Sequence, residues 1–449
     1  LLFMDYNRTN IIAALATTPG ISAISVIRIS GTNLTTLFQL ITGNHKIKDR
    51  YANYCKILSK DQNTILDRCI VIYYVGPNSY TGEDVIEINC HGGDVIAQSI
   101  LNMLYSHGAK SALSGEFSYR AFINNKIDLI EAEAISSLIH SSSQYSNEII
   151  MDHLNKSLTK NILDINSKII NILTIIEHEL DFSEQEIDYT TNETILKIIN
   201  QISKTIKSYL KNKKLVKAIN NGINVVILGM PNAGKSSLFN KLVGKQRTIV
   251  SDVEGTTRDS VETRLVINQY PINLIDTAGY FEANDQINID SVKQTMNHAK
   301  NADIIICLDE RDPINEFSKL NLDCSNVIYC KSKQDQAVKH RQNNQIINLS
   351  SQKNYGINDL KDKLSTVLST EYEYDIANQT ALISDRQIII FEQALEMIIN
   401  IQILLKDNIG MDVVASYMHQ LSELLDECLG KVSNDEVLNS IFNNFCVGK

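Results

Sequence analysis

The sequence predicts a multidomain α/β chain in which an α/β domain interrupts a helical one. Three observations predict this. Short β-rich runs, helical stretches and turn clusters alternate over the first 124 residues, an apolar helical periodicity takes over from about Asp128, and at Ile223 the pattern switches abruptly to alternating strands and helices. Helical pattern returns only near Asp385. The economical arrangement is an N-terminal domain at 1–124, a helical domain in two segments at 125–218 and 379–449, and an inserted domain at 219–378 whose ends lie close together at a surface.

In chain order, AISVIRI (Ala23–Ile29), CIVIYYV (Cys69–Val75) and DVIEIN (Asp84–Asn89) read as three strands, and the turn clusters GPNS and HGGD make the first domain α+β. His91, beside a glycine turn, reads as structural, because Cys90-His91 has no metal-site spacing. Leu158, Ile162, Leu163, Ile165, Ile169, Ile170, Ile172, Leu173, Ile176 and Leu180 recur at helical spacing, and a second helix runs around Ile195–Leu210 into KNKK, a basic run that reads as a solvated face. At the other end, Leu438, Ile441, Phe442 and Phe445 predict a final helix that docks by this face and ends near Gly448, a residue suited to a left-handed cap. Cys446 stands fourth from the last residue, but Val447, Gly448 and Lys449 do not fit the prenylation pattern.

Composition narrows the function classes. The 449 residues are 43% apolar and carry a net charge of -10, so no global basic field draws in a nucleic acid, and any RNA contact must come from a local patch or a partner. Eight scattered cysteines without a Cys-x-x-Cys pair fit free thiols in a reducing compartment. LLFMDYNRTN lacks the basic start and apolar core of a secretion signal, and no run of about eighteen apolar residues occurs, so the expectation is a cytoplasmic chain without a membrane span.

The inserted domain opens NVVILGMPNAGKSSLFN, in which G-x-x-x-x-G-K-S runs from Gly229 to Ser236 between an apolar strand and a helix. Gly229 and Gly234 let consecutive backbone N–H groups turn toward phosphate oxygens, Lys235 reaches the β and γ phosphates, and the Ser236 hydroxyl ligates Mg²⁺. Further on, LIDTAGY places Asp276 at a strand end, as a Walker-B aspartate near Mg²⁺, with Gly279 placed to sense the γ-phosphate. EGTTRD offers Thr257 as a second hydroxyl for Mg²⁺. VIYCKSKQD supplies Ser332, Lys333 and Asp335 in place of an Asn/Thr-Lys-x-Asp element; the aspartate accepts from guanine N1–H and its amino group, which favours GTP over ATP. LSSQ (Leu349–Gln352) stands where a Ser-Ala-Lys loop borders the base.

Along essentially its whole length the sequence resembles the tRNA-modification GTPase MnmE (TrmE) family. VIRISG, GPNSYTGEDVIEINCHGGDV, GEFSYRAFINNKIDLIEAEA, PNAGKSSLFN, EGTTRD, DTAG and the terminal FCVGK carry the resemblance. It implies an N-terminal α+β folate-binding-type and dimerisation domain, a discontinuous α-helical domain and an inserted P-loop Ras-like G domain. It implies a homodimer that works with the FAD-dependent MnmG protein on tRNA, adding an aminomethyl-type group at carbon 5 of the wobble uridine. The one-carbon unit comes from a formyl or methylene tetrahydrofolate. Arg28, Glu87, Lys126 and Lys449 match the folate-contacting positions, and Cys446 stands near enough to assist. The nucleotide set is Asn232, Ala233, Gly234, Lys235, Ser236, Ser237, the loop Ser251, Asp252, Val253, Glu254, Gly255, Thr256, Thr257, then Asp276, Thr277, Ala278, Gly279, and on the base side Ser332, Lys333, Asp335, Ser350, Ser351 and Gln352. The resemblance also implies K⁺ in the place of an arginine finger, ligated by Asn232 and by the loop of Ser251, Val253 and Thr256, and formed when two G domains meet.

One position departs from the family. Its water-orienting glutamate lies twelve residues past the DTAG aspartate, where this chain has Asn288. An amide can hydrogen-bond a water but cannot act as a base. Hydrolysis is therefore either slow or served by Asp285 or Asp290. Two other classes compete: a GTPase switch for ribosome assembly, and a folate-dependent group-transfer protein with a weakly active G domain.

Overall fold

The computed structural model describes residues 9–43, 46, 48–141, 143–181, 192–211, 213–244, 261–277, 286–334, 345–372, 382–432 and 435–449. They form two compact units, one of Leu1–Ser136 with Ser422–Lys449 and one of Ser137–Leu421.

The first unit begins with β1 (Ile12–Leu15), β2 (Ile24–Gly31), α1 (Thr35–Thr42), β3 (Asn53–Leu58), β4 (Ile65–Tyr74), β5 (Asp84–His91), α2 (Asp94–Ser106), β6 (Lys110–Ser111), α3 (Glu116–Ile123) and the start of α4 (Leu129–His140). Its sheet has six strands in the order β3-β4-β5-β2-β1-β6. All pairings are antiparallel except β1 with β6. One face carries the main core, including Ile27, Ile29, Phe38, Val71, Ile86, Ile88, Ile100 and Leu104. Ile12, Ala14, Ala112 and Phe117 form a smaller cluster. Three strands were expected here, and six form. β1 and β6 are four and two residues long, and β3 alternates buried with exposed positions, so its Tyr54 and Lys56 dilute the apolar signal that half-buried strands otherwise give.

The second unit continues with α5 (Gln144–Leu154), α6 (Ser157–Asp181), α7 (Asn192–Lys211), α8 (Lys213–Asn221), β7 (Ile223–Gly229), α9 (Lys235–Val243), β8 (Val261–Ile267), β9 (Tyr270–Asp276), α10 (Gln286–Lys300), β10 (Ile304–Asp309), α11 (Pro313–Ser318), β11 (Val327–Lys331), β12 (Ile346–Asn348), α12 (Ile357–Glu371), α13 (Asp385–Lys406) and α14 (Met411–Leu429). α15 (Asp435–Asn443) returns to the first unit. On α6, Leu158, Ile162, Ile165, Ile169, Ile172, Leu173 and Ile176 are buried while Leu163 and Ile170 are exposed, as a 3.6-residue period requires. α13 runs antiparallel to α7: Gln402 donates to Asn200 at 2.7 Å and, at the start of α8, Lys213 pairs with Glu392 at 2.9 Å. By length and composition α13 could cross a membrane, yet Phe391 packs edge-on to Tyr209 at 5.2 Å and Ile388, Ile390, Ala394, Ile398 and Ile401 are buried.

The inserted sheet has the order β12-β11-β10-β7-β9-β8, parallel except for the β8–β9 pair. Its central strand β7 is apolar almost throughout, as strands covered on both faces are. The chain enters and leaves this sheet side by side, because Asn220 Nδ2 donates to the Ile383 carbonyl at 2.5 Å. Asn273 on β9 fixes the entry, donating to Asn221 O at 2.7 Å and to Asn224 Oδ1 at 3.0 Å.

α15 docks as its spacing predicts. Leu438, Phe442 and Phe445 are buried with Leu129 and Ala132, and Ile441 is half-buried. The helix ends at Asn443, however, five residues short of Gly448. Gly448 therefore does not cap it. Its φ of +97° and a would-be Cβ only 2.4 Å from the Leu15 carbonyl oxygen show what glycine is for: the tail runs against the backbone of β1.

Candidate functional site

At the carboxyl end of β7 the backbone of Gly229 lies so close to β10 that a Cβ would stand 2.3 Å from Leu308 O. Asn232 (φ +64°) and Gly234 (φ +98°) then curl the chain into α9 through two left-handed residues, a conformation that turns successive N–H groups inward. The Lys235 ammonium folds back over this loop, donating to Gly229 O and Met230 O at 3.1 Å each. Burial pushes its pKa down and the Asp276 carboxylate pulls it up, so the site already favours a second negative charge beside the lysine. Ala233 is buried, while Ser236 and Ser237 are exposed on the first turn of α9, where unpaired helix N–H groups favour anions.

Asp276 ends β9 opposite Ile227. Its Oδ1 is buried and has no hydrogen-bond partner among the described residues, which is costly unless a cation or its water shell satisfies it. With the Ser236 hydroxyl nearby in the motif, these hard oxygen donors fit Mg²⁺, an ion normally shared with phosphate oxygens. Among the described residues no cluster of three His, Cys, Asp or Glu could hold a metal alone. Thr277 is buried and donates to Ile227 O at 2.7 Å. Ser251–Thr257, Ala278 and Gly279 lie outside the described residues, so of the predicted K⁺ ligands only Asn232 is placed. Asn288 stands in the first turn of α10, its side chain outside the described set.

On the base side, β11 delivers Ser332, whose hydroxyl is buried without a partner among the described residues, and Lys333 (φ +55°), which pairs with Glu310. Gln334 N donates to Leu349 O at 3.1 Å and ties this loop to the next. Ser350 exchanges two backbone bonds with Tyr355, leaving Ser351 half-buried and Gln352 exposed on the turn between. Ser332, Lys333 and the Ser350–Gln352 turn thus come together; Asp335 lies outside the described residues.

The first unit assembles a second site. Arg28 on β2 stands directly across from Glu87 on β5, with Nη2 2.9 Å from Oε1. Arg28 Nη1 also donates to Gly448 O at 3.2 Å. The guanidinium lies over the rings of Tyr80 (5.4 Å) and Phe117 (5.8 Å), contacts of the cation–π kind. Val447 bridges to Ser114, and Lys449 N donates to Cys446 O at 3.3 Å, closing a tight turn. Burial first, and Arg28 second, push the Lys449 ammonium below its ordinary pKa. Cys446 is exposed. Lys126 lays its stem against Gly82, two residues from Tyr80. Three cations, one carboxylate and two aromatic faces suit a flat, hydrogen-bonding ring system carrying anionic groups.

Sequence reasoning missed the buried support beneath this site. Arg120 spans Glu83 and Glu116 at 2.9 Å each, and Glu83 also accepts from Ser30 at 2.8 Å. Glu116 and Arg120 are four apart on one helix, a pair that helical spacing allows, but nothing in the spacing brings Glu83 to them. His91 pairs with Asp67 at 2.8 Å, a structural role.

A family profile described as the GTP-binding protein TrmE N-terminus matches residues 11–126, and one described as the MnmE helical domain matches residues 129–446. The tRNA modification GTPase MnmE of Flavobacterium psychrophilum is 33% identical over 99% of this chain and 100% of its own length. That of Brachyspira hyodysenteriae is 34% identical over 99% and 100%. The Aquifex aeolicus protein of the same name is 31% identical over 98% of this chain and 99% of itself. With both profiles and relatives that match end to end, the chain belongs to the tRNA modification GTPase MnmE family.

Proposed function

We propose that this chain is a cytoplasmic, homodimeric GTPase. With an FAD-dependent partner of the MnmG type, it installs an aminomethyl-type group at carbon 5 of the wobble uridine of certain tRNAs, drawing the carbon from a formyl or methylene tetrahydrofolate. In the G domain Lys235 would neutralise the β and γ phosphates, the N–H groups at the α9 N-terminus would hold their oxygens, the Ser236 hydroxyl would ligate Mg²⁺ and Asp276 would hold its water shell. Ser332, Lys333 and the Ser350–Gln352 turn border the base. Bound beside Asn232, K⁺ would supply the positive charge that an arginine finger supplies elsewhere, worth roughly 10³ to 10⁵ in rate. In the first unit Glu87 accepts hydrogen bonds from the pterin, while Arg28, Lys126 and Lys449 meet carboxylates or the formyl oxygen.

The observation that carries the one-carbon reading is the meeting of Arg28, Glu87 and the 446–449 tail, three remote segments, in one half-buried cluster. The test is to incubate the chain with the FAD partner and undermodified tRNA, omitting GTP, K⁺ or the tetrahydrofolate donor in turn, and to weigh the wobble nucleoside. Each omission should abolish the mass increase; modification without tetrahydrofolate overturns the reading. A second reading, a group-transfer protein with a weakly active G domain, draws on Asn288 and Ser332 and requires negligible GTP turnover in K⁺.

A further inference from the structure

α7 is strongly two-sided. Ile195, Ile199, Ile202, Ile206 and Tyr209 are buried on one side. On the other, Lys197, Gln201, Lys204, Ser208 and Lys211 are all exposed. Successive lysines are one heptad apart, so they stand roughly 10 Å from one another along one line. From residue 194 to 218 the chain carries seven lysines and no carboxylate, although its net charge is -10. Among the described residues two carboxylates form ion pairs with this stretch, Glu392 with Lys213 and Glu371 with Lys214, both near its far end. Lys197, Lys204 and Lys211 make no ion pair among the described residues. A shallow groove of about 420 Å³ runs beside Glu193, Leu196, Lys197, Asn200, Gln201 and Lys204.

We propose that this outer face of α7 is an RNA-docking surface that grips the phosphate backbone of the tRNA substrate; the inference rests on the tRNA reading above. The chemistry of the face selects the partner. It exposes no large apolar side chain, whereas a membrane-surface helix offers Trp, Phe or Leu and a protein interface centres on aromatic anchors and is depleted in lysine. Lysines interleaved with Asn, Gln and Ser are what positions phosphates without reading sequence. The competing occupant is this chain's own acidic stretch, which has seven carboxylates between 177 and 193. If that stretch held the lysines, RNA binding would not depend on them.

The experiment uses the full chain and an unmodified tRNA transcript, with binding followed by fluorescence anisotropy between 50 and 200 mM KCl. The triple variant Lys197→Gln, Lys204→Gln, Lys211→Gln should bind at least tenfold more weakly near 0.1 M salt. Its log–log salt slope should fall by about 2 to 3, near one per lysine. Arginine at the same three positions should restore both, and GTP turnover in the absence of tRNA should not change. Equal affinity and slope in the glutamine variant overturn the proposal while leaving the tRNA reading intact. A wild-type chain that neither binds nor modifies tRNA overturns both. Lysine-dependent binding to anionic phospholipid vesicles, with tRNA binding untouched, overturns it in favour of a membrane.

Discussion

Replacing Gly448 by Ala tests whether the tail completes the site of the first unit. The residue has φ +97°, which costs an L-amino acid roughly 1–2 kcal/mol. The new Cβ would fall 2.4 Å from Leu15 O and 2.8 Å from Ala16 Cα, and since both are backbone atoms no side-chain rotation relieves the overlap. The tail must move, which breaks the bond from Arg28 Nη1 to Gly448 O, a charged-donor bond worth about 1.5–3 kcal/mol. Together these terms reach about 2.5–5 kcal/mol, or roughly 10² to 10⁴ in the docking equilibrium of residues 446–449. Phe442 and Phe445 stay buried, so α15 and the fold should survive. Calorimetric titration with tetrahydrofolate should show binding weakened at least tenfold, with GTP turnover within about twofold of wild type. Val447→Ala, at a side chain 52% exposed, is the control and should bind nearly normally. Wild-type affinity in Gly448→Ala would refute the reasoning.

Other outcomes follow from the same geometry. Lys235→Ala should abolish GTP hydrolysis and leave tetrahydrofolate binding intact; loss of both would contradict independent sites. Hydrolysis should run faster in K⁺ than in Na⁺, and Asn232→Ala should erase that difference; equal wild-type rates in the two salts exclude the potassium role. Asn288→Glu should raise GTP turnover if the missing carboxylate limits the rate, whereas an unchanged rate would point to a neighbouring aspartate. Lys449 has a folded pKa depressed below its ordinary 10.5, so the undocked tail binds more protons than the docked one, and docking strengthens as pH rises through that window. An anionic ligand opposes the shift, so tetrahydrofolate binding at alkaline pH should take up protons, which calorimetry in buffers of different ionisation enthalpy will show and which Lys449→Met should remove.

The nucleotide loop was legible in the sequence because each residue has a chemical job at a fixed spacing, and Gly229 and Gly234 take the close approach and the left-handed turn that this spacing needs. The helical register of α6 and the switch at Ile223 were equally plain, since periodicity depends on many residues at once. What escaped depended on partners remote in sequence. Gly448 was visible as a glycine, but only the approach of β1 explains it. Arg120 and Glu116 stand four apart on α3, but only Glu83, 37 residues away, turns that pair into a buried bridge. α13 hid the opposite way: it is long and apolar in sequence, while its Gln402 and Glu392 reach across to α7 and α8.

Arg28 illustrates how late such a site can be finished. Its partners lie 59 and 420 residues downstream, and a ribosome adding about 5–20 residues per second reaches the second of them roughly 20 to 80 s after the first strands emerge. Through that interval β1–β6 can pair, but Leu129 and Ala132 wait uncovered for Phe442 and Phe445, an exposed apolar patch of the sort that chaperones hold. Until α15 is made, the first unit therefore keeps that seam open and lacks the tail that reaches Arg28.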